Sequence, residues 1–69
     1  MFNGAVLKKL RENKSLTTAE LAEEVKSTQS TISSIENNLR LPNANLVEIL
    51  ANYFEKPISE FYTDNPNTA

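Results

Sequence analysis

The residue types that could do chemistry in this chain are carboxylates, amides, hydroxyls and a small number of basic groups. The sequence has no cysteine and no histidine, which removes disulfides, thiolate nucleophiles, imidazole bases and the usual zinc ligands. Its one glycine, Gly4, cannot form a glycine-rich phosphate loop, because such loops need several glycines at fixed offsets. We therefore expect no enzymatic activity, no metal and no nucleotide cofactor.

One segment concentrates small polar side chains at helical spacing. Its polar residues are Gln29, Ser30, Ser33, Ser34 and Asn37. In a regular helix the three serines and Asn37 project away from Ile32 and Ile35, and Gln29 lies at the exposed N-terminal turn, so only one narrow edge is apolar. Three serines in five residues are individually poor for helicity, which indicates that something besides stability selected them. We predict a short helix with a polar, uncharged outer face.

The charge is unevenly distributed along the chain. The whole sequence carries seven basic and nine acidic residues, a net of −2, which does not favour a polyanionic ligand. Residues 1–41 hold six basic and five acidic residues, a net of +1, whereas residues 42–69 hold one basic and four acidic residues, a net of −3. Any nucleic acid should therefore meet the first half.

Apolar periodicity and capping signals predict an all-α fold, a compact bundle of five helices. Sixty-nine residues allow one domain, which we assign to residues 1–62, followed by a flexible tail over 63–69. The first helix runs from an Asn3 cap to about Asn13, and the second begins at the capping box Thr17-Thr18-Ala19-Glu20. Neither a membrane span nor a signal peptide is visible, so we expect a cytoplasmic protein.

The remaining helices follow from similar signals. Thr28 is the cap expected for the third helix, and Asn38 can hold the left-handed conformation that ends it. Asn43 or Asn45 caps a fourth helix that reaches about Glu55. Pro57 suits the first position of a last short helix, in which Ile58 and Phe61 complete the core.

The second and third helices together predict a helix-turn-helix. They are joined by a three-residue connection, and the second of the pair presents polar side chains outward. Counted from Thr18 as position one, Ala22 falls at the fifth place, where the helices cross and a small side chain is needed. The apolar contacts beneath the unit are Leu21, Val25, Ile32 and Ile35.

With its flanks, this pattern resembles the Cro/phage-repressor helix-turn-helix family, also called the xenobiotic-response-element family, over roughly Val6 to Tyr62. The stretches that carry the resemblance are Leu10-Arg11-Glu12, Leu16 to Ala22, Ser30 to Asn37, Pro42, Leu50-Ala51 and Ile58 to Phe61. The resemblance implies a five-helix domain that binds duplex DNA, generally as a two-fold dimer on a palindromic operator, with its third helix in the major groove. Such a protein would be a repressor-like transcription regulator.

The resemblance also implies roles for single residues. Gln29, Ser30 and Ser34 correspond to base-reading positions, and Thr28 to a position at the groove edge. The implied phosphate contacts are Thr18, Asn37 and Arg40, and the implied internal salt bridge joins Arg11 and Glu36. The chain departs from the family pattern at Thr18, where glutamine is common, at Lys26 and Asn38, where glycine is usual, and at Ser27, where an apolar residue is usual.

Two further interpretations stay open at this point. The serines and Gln29 could be an ordinary solvated surface, and the acidic pI near 5.0 is consistent with a protein-binding module of anti-repressor type on the same fold. The exposed glutamates of the second helix are most simply a solvated face, with polymerase as a less favoured partner.

The fourth helix is more apolar than one buried face requires. Leu46, Ile49 and Tyr53 widen its apolar arc beyond the stripe typical of a surface helix. Either the last helix folds back, with Ile58 and Tyr62 against Tyr53, or a second copy covers this surface in a weak homodimer.

Overall fold

A computed structural model describes residues 1–62, and the predicted tail, 63–69, lies outside the described residues. The elements are α1 (Gly4–Asn13), α2 (Thr18–Glu24), α3 (Gln29–Glu36), α4 (Ala44–Phe54) and a single 3-10 turn (Ile58–Phe61), the final turn. No strand occurs over residues 1–62, which confirms the all-α prediction for that part of the chain. None of its helices has the length and apolar content required to cross a bilayer.

The predicted count of five helices is not confirmed, because the last element is only one turn. Pro57 stands just before this turn as its cap, not at its first position. The turn has four residues, and a segment this short closes with the tighter 3-10 bonds instead of an α-helical ladder: the Glu60 N–H donates to the Pro57 carbonyl at 3.0 Å.

Side-chain caps fix the start of each α-helix where the sequence predicts it. The N-cap residues are Asn3, Thr17, Thr28 and Asn43. At α2, the Thr17 hydroxyl accepts from the Glu20 N–H at 3.0 Å, and the Glu20 carboxylate accepts from the Thr17 N–H at 2.9 Å. This is the predicted capping box. Asn43, not Asn45, caps α4 and accepts from the Leu46 N–H at 2.8 Å.

All four α-helices end on a left-handed residue that is not glycine. These residues are Ser15 (φ 57°), Lys26 (φ 58°), Asn38 (φ 61°) and Glu55 (φ 55°). After α2, the Lys26 N–H donates to the Glu23 carbonyl at 3.3 Å and the Ser27 N–H donates to the Ala22 carbonyl at 2.7 Å, which is the Schellman pattern. A side chain at such a position is strained, because Cβ approaches the following carbonyl oxygen.

The core is formed by apolar residues of every element. Its members are Phe2, Leu7, Leu21, Ala22, Val25, Ile32, Ile35, Val47, Leu50, Ala51, Phe54 and Phe61. Phe2 lies outside any helical pattern, and its ring stacks on Phe61 with the centroids 5.3 Å apart. The expectation that Ile58 completes the core is wrong: Ile58 is 46% exposed, because the single final turn directs only Phe61 inward.

The start of α1 is fastened to the end of α3. The Gly4 N–H donates to Asn38 Oδ1 at 3.0 Å. The Asn38 side chain thus satisfies one of the backbone N–H groups that have no partner within the first turn of α1. The two backbones approach so closely that a Cβ atom on Gly4 would lie 2.6 Å from the Glu36 carbonyl oxygen and closer still to that of Ile35. The single glycine therefore serves a close approach between helices.

Candidate nucleic-acid interface

The helix pair α2 and α3 packs tightly across its turn. Leu21 is fully buried and Ala22 is 2% exposed, as expected where two helices cross and only a small side chain fits. The connection comprises residues 25–28, one more than expected, because α2 ends at Glu24 and Val25 forms its C-cap. The turn thus sets the direction in which α3 leaves α2.

One side of α3 is buried and the opposite side is polar. Ile32, Ile35 and Glu36 are the buried residues of this helix. Ser30 is exposed and Ser34 is half-buried on the other side, one helical turn apart. Because its inner side is fixed in the core, α3 presents its outer side in a defined orientation.

The first turn of α3 is the most accessible part of that outer side. Thr28 caps the helix by accepting from the Thr31 N–H at 3.2 Å, and both Thr28 and Gln29 are exposed. The Gln29 amide thus extends from a capped helix start. An amide side chain offers a donor pair and an acceptor in one plane, which suits bidentate hydrogen bonding.

Two of the implied phosphate-contacting residues lie at helix ends. Asn37 is the exposed C-cap of α3, and its Nδ2 donates to the Ser33 carbonyl at 2.9 Å. An amide nitrogen carries two protons, so one N–H of Asn37 is still available for a partner. Thr18 is the first residue of α2 and is half-buried.

Arg40 does not extend from the loop alone, because its side chain reaches back to α3. Its Nη1 donates to Thr31 Oγ1 at 3.1 Å, across nine positions of sequence. The Thr28 hydroxyl also donates to Thr31 Oγ1, at 2.9 Å. Sequence reasoning missed this contact, since periodicity within α3 gives no information about a side chain that returns from the following loop.

The charged side chain of α3 itself is neutralised. Glu36 accepts from Arg11 Nε at 2.7 Å and from Nη2 at 3.1 Å, which is the ion pair that the resemblance implies. The hydrogen bond to Glu36 is the main reason that the pKa of Arg11 is raised from its ordinary value, with burial acting in the opposite direction. Arginine is already protonated at neutral pH, so raising its pKa does not change its charge there. Over residues 1–62, no acidic cluster suitable for a metal ion is present.

The widened apolar arc of α4 is partly covered by the chain itself. Leu46 and Tyr53 are half-buried against the core, and Ile49 is 36% exposed. The Lys14 ammonium lies 5.6 Å from the centre of the Tyr53 ring, a cation-π contact. The predicted contact of Tyr62 with Tyr53 is not seen among the ring contacts: Tyr62 packs edge-on against Phe2, whereas the Tyr53 ring contacts Phe54 and Lys14.

A short helix, a turn, and a second helix with a buried inner side and a polar outer side define a helix-turn-helix domain. The family described as helix-turn-helix matches residues 7–61. The chain therefore belongs to the Cro/C1-type helix-turn-helix family, also called the XRE family. This membership identifies it as a DNA-binding domain of the transcription-regulator type.

One solved structure with this fold is PlcR of Bacillus thuringiensis, in complex with the peptide PapR7 and DNA. It shares 29% sequence identity with this chain and superposes with a TM-score of 0.79. The match covers 94% of this chain and 23% of the PlcR chain, so this chain corresponds to about a quarter of that protein's length. Among curated protein sequences, no significant match is found.

Proposed function

We propose that this domain reads a specific sequence of duplex DNA by inserting α3 into the major groove, and that it acts as a repressor-like transcription regulator. The observation that carries the proposal is the division of α3 between an inner side held by Ile32, Ile35 and the Arg11–Glu36 pair and an outer side of uncharged polar groups. Uncharged donors and acceptors match the base edges of the major groove. The DNA-bound state of the similar PlcR structure supports the same conclusion.

The proposed base contacts lie on the outer side of α3. The Gln29 amide forms two hydrogen bonds with the N6 and N7 atoms of an adenine, and Ser30 and Ser34 contact neighbouring base edges. Thr28 stands at the edge of the groove. The accessible positions of Thr28, Gln29 and Ser30 support these assignments.

The proposed backbone contacts are few, and only one of them is cationic. Arg40 binds a phosphate through its guanidinium, while Thr18 and Asn37 contribute neutral hydrogen bonds. Each neutralised phosphate releases condensed counterions. It therefore contributes about −0.9 to the slope of the logarithm of the binding constant against the logarithm of the salt concentration. We therefore expect moderate affinity at physiological salt and a shallow salt dependence.

Two copies of the domain would bind the two halves of a palindrome. A two-fold dimer places two α3 helices at the spacing of about 34 Å that successive major grooves require. The proposed contact surface is Leu46, Ile49 and Tyr53. Since Leu46 and Tyr53 are only half-exposed, the contact is small, and we expect a weak homodimer that DNA reinforces.

Selection of bound sequences from random duplexes tests the proposal directly. Recovery of a palindrome is the expected result, and recovery of no preferred sequence would contradict it. On the selected duplex, Gln29→Ala should weaken binding by about 1–3 kcal/mol and relax the preference at one base pair. Arg40→Ala is the matched control, because it should weaken binding to selected and random duplexes alike and lower the salt slope by about one unit.

A protein-binding function on the same fold is the second candidate. It is favoured by the net charge of −2 and by the absence of a basic residue in α3. In that case the polar face of α3 would bind another protein, such as a repressor that it antagonises. Passage of the protein through a duplex-DNA column without retention at low salt would favour this alternative over DNA recognition.

A further inference from the structure

We propose that Thr31 is a positioning residue for DNA binding: its hydroxyl holds the Arg40 guanidinium against the first turns of α3, ready for a phosphate. The inference rests on the proposed function and assigns a role to a residue that neither the helix-turn-helix pattern nor the family match singles out. Arg40 begins in the loop after α3, yet its Nη1 donates to Thr31 Oγ1 at 3.1 Å.

The direction of this hydrogen bond follows from the chemistry of the two groups. A guanidinium has only donors, so the threonine oxygen must accept. The acceptor is itself well fixed, because a β-branched side chain in a helix has few rotamers. Thr31 Oγ1 is also held by the Thr28 hydroxyl at 2.9 Å, and Thr28 in turn caps α3. Arg40 is therefore attached to the capped start of α3.

The attachment places positive charge on a helix that has none of its own. Glu36 is the charged residue of α3, and Arg11 neutralises it. One N–H of Arg40 is used by Thr31, which leaves four of its donors for a phosphate. The phosphate that Arg40 binds should thus flank the bases next to the N-terminal half of α3, rather than those next to its C-terminal end.

The benefit to binding comes from ordering Arg40 in advance. Immobilising a long side chain on binding costs about 0.5–1.5 kcal/mol, which corresponds to a factor of about two to ten in affinity. Thr31→Val keeps the shape of the side chain and removes the hydroxyl, so it should weaken binding to selected and random duplexes by that factor. Thr31→Ser keeps a hydroxyl at this position, so it should bind DNA almost as tightly as the wild type does.

A double-mutant cycle separates positioning from direct contact. If Thr31 acts through Arg40, then Thr31→Val causes no further loss when Arg40 is already alanine. A loss of equal size in the Arg40→Ala protein would show that Thr31 meets the DNA itself, and would overturn the proposal. An unchanged affinity of Thr31→Val in the otherwise wild-type protein would overturn it as well.

Nuclear magnetic resonance relaxation of the Arg40 Nε–H in the free protein gives a readout that does not involve DNA. The group should be ordered in wild type and Thr31→Ser, and mobile in Thr31→Val. The unfolding free energies should remain similar, because Thr31 is only half-buried and Arg40 is exposed. Equal mobility in all three proteins would overturn the positioning role. Failure of the wild type to bind any duplex would instead contradict the proposed function and the role in binding, while the relaxation data would still report on the pair.

Discussion

Replacing Lys26 by glycine tests whether the turn between α2 and α3 is strained. Lys26 has a φ of 58°, a conformation that costs an ordinary residue about 1–2 kcal/mol and glycine almost nothing. The greater conformational freedom of glycine in the unfolded chain offsets about 0.4–1 kcal/mol of this stabilisation. Lys26→Gly should therefore stabilise the domain by about 0.5–1 kcal/mol. In a domain of this size that raises the melting temperature by about 2–8 °C.

Lys9→Gly is the matched control, because it makes the same change in the middle of α1. Lys9 is also exposed, but its backbone is helical, where glycine is less favourable by about 0.5–1 kcal/mol. Thermal unfolding followed by circular dichroism should therefore show opposite shifts for the two variants. A lower melting temperature for Lys26→Gly would refute the reasoning, since it would mean that the lysine side chain contributes more than the strain costs.

Asn38→Gly provides a third comparison at a second left-handed residue. Asparagine tolerates this conformation better than lysine does, so there is less strain to remove. The Asn38 side chain also accepts from the Gly4 N–H, and glycine would lose that hydrogen bond. We expect Asn38→Gly to be neutral or destabilising although its φ matches that of Lys26.

Three further predictions concern other contacts. Gly4→Ala should destabilise the domain by at least about 2 kcal/mol in urea unfolding, because the new Cβ would overlap the Glu36 carbonyl; an unchanged midpoint would show that the helices separate easily. Glu36→Ala should lower the unfolding free energy by about 1.5–3 kcal/mol, because it removes two charge-assisted hydrogen bonds from Arg11, whose side chain is only 11% exposed, and a loss below about 1 kcal/mol would contradict this. Ile49→Glu should abolish concentration-dependent dimerisation in sedimentation while the monomer stays folded. If wild type and variant both remain monomers and bind the palindrome with equal cooperativity, the α4 surface is not the dimer contact.

Local signals in the sequence predict most of the fold, because capping and periodicity depend on neighbouring residues. Asn3, Thr17 and Thr28 cap their helices where the sequence indicates. Phe2 could not be predicted as a core residue, since it precedes the first helix and packs on Phe61 from the far end of the chain. The exposure of Ile58 could not be predicted either, because a turn of four residues is too short for apolar periodicity to show which side chains face the core.

The candidate site divides in the same way. The outward face of α3 follows from helical spacing, whereas the Arg40–Thr31 hydrogen bond depends on the path of a loop. The close approach at Gly4 is also invisible in the sequence, because a glycine at a helix start has no pattern that distinguishes it. Base reading by Gln29, Ser30 and Ser34 remains a prediction, which the comparison of Gln29→Ala with Arg40→Ala addresses.

The division of α3 into a buried side and an accessible side also has an evolutionary consequence. Ile32, Ile35 and Glu36 hold the helix in place, and none of the proposed base-reading residues is among them. Substitutions at Gln29 and Ser30 can therefore accumulate without a large loss of folding stability. Under selection for a new operator, descendants of this domain could diverge in target sequence while they retain the same scaffold.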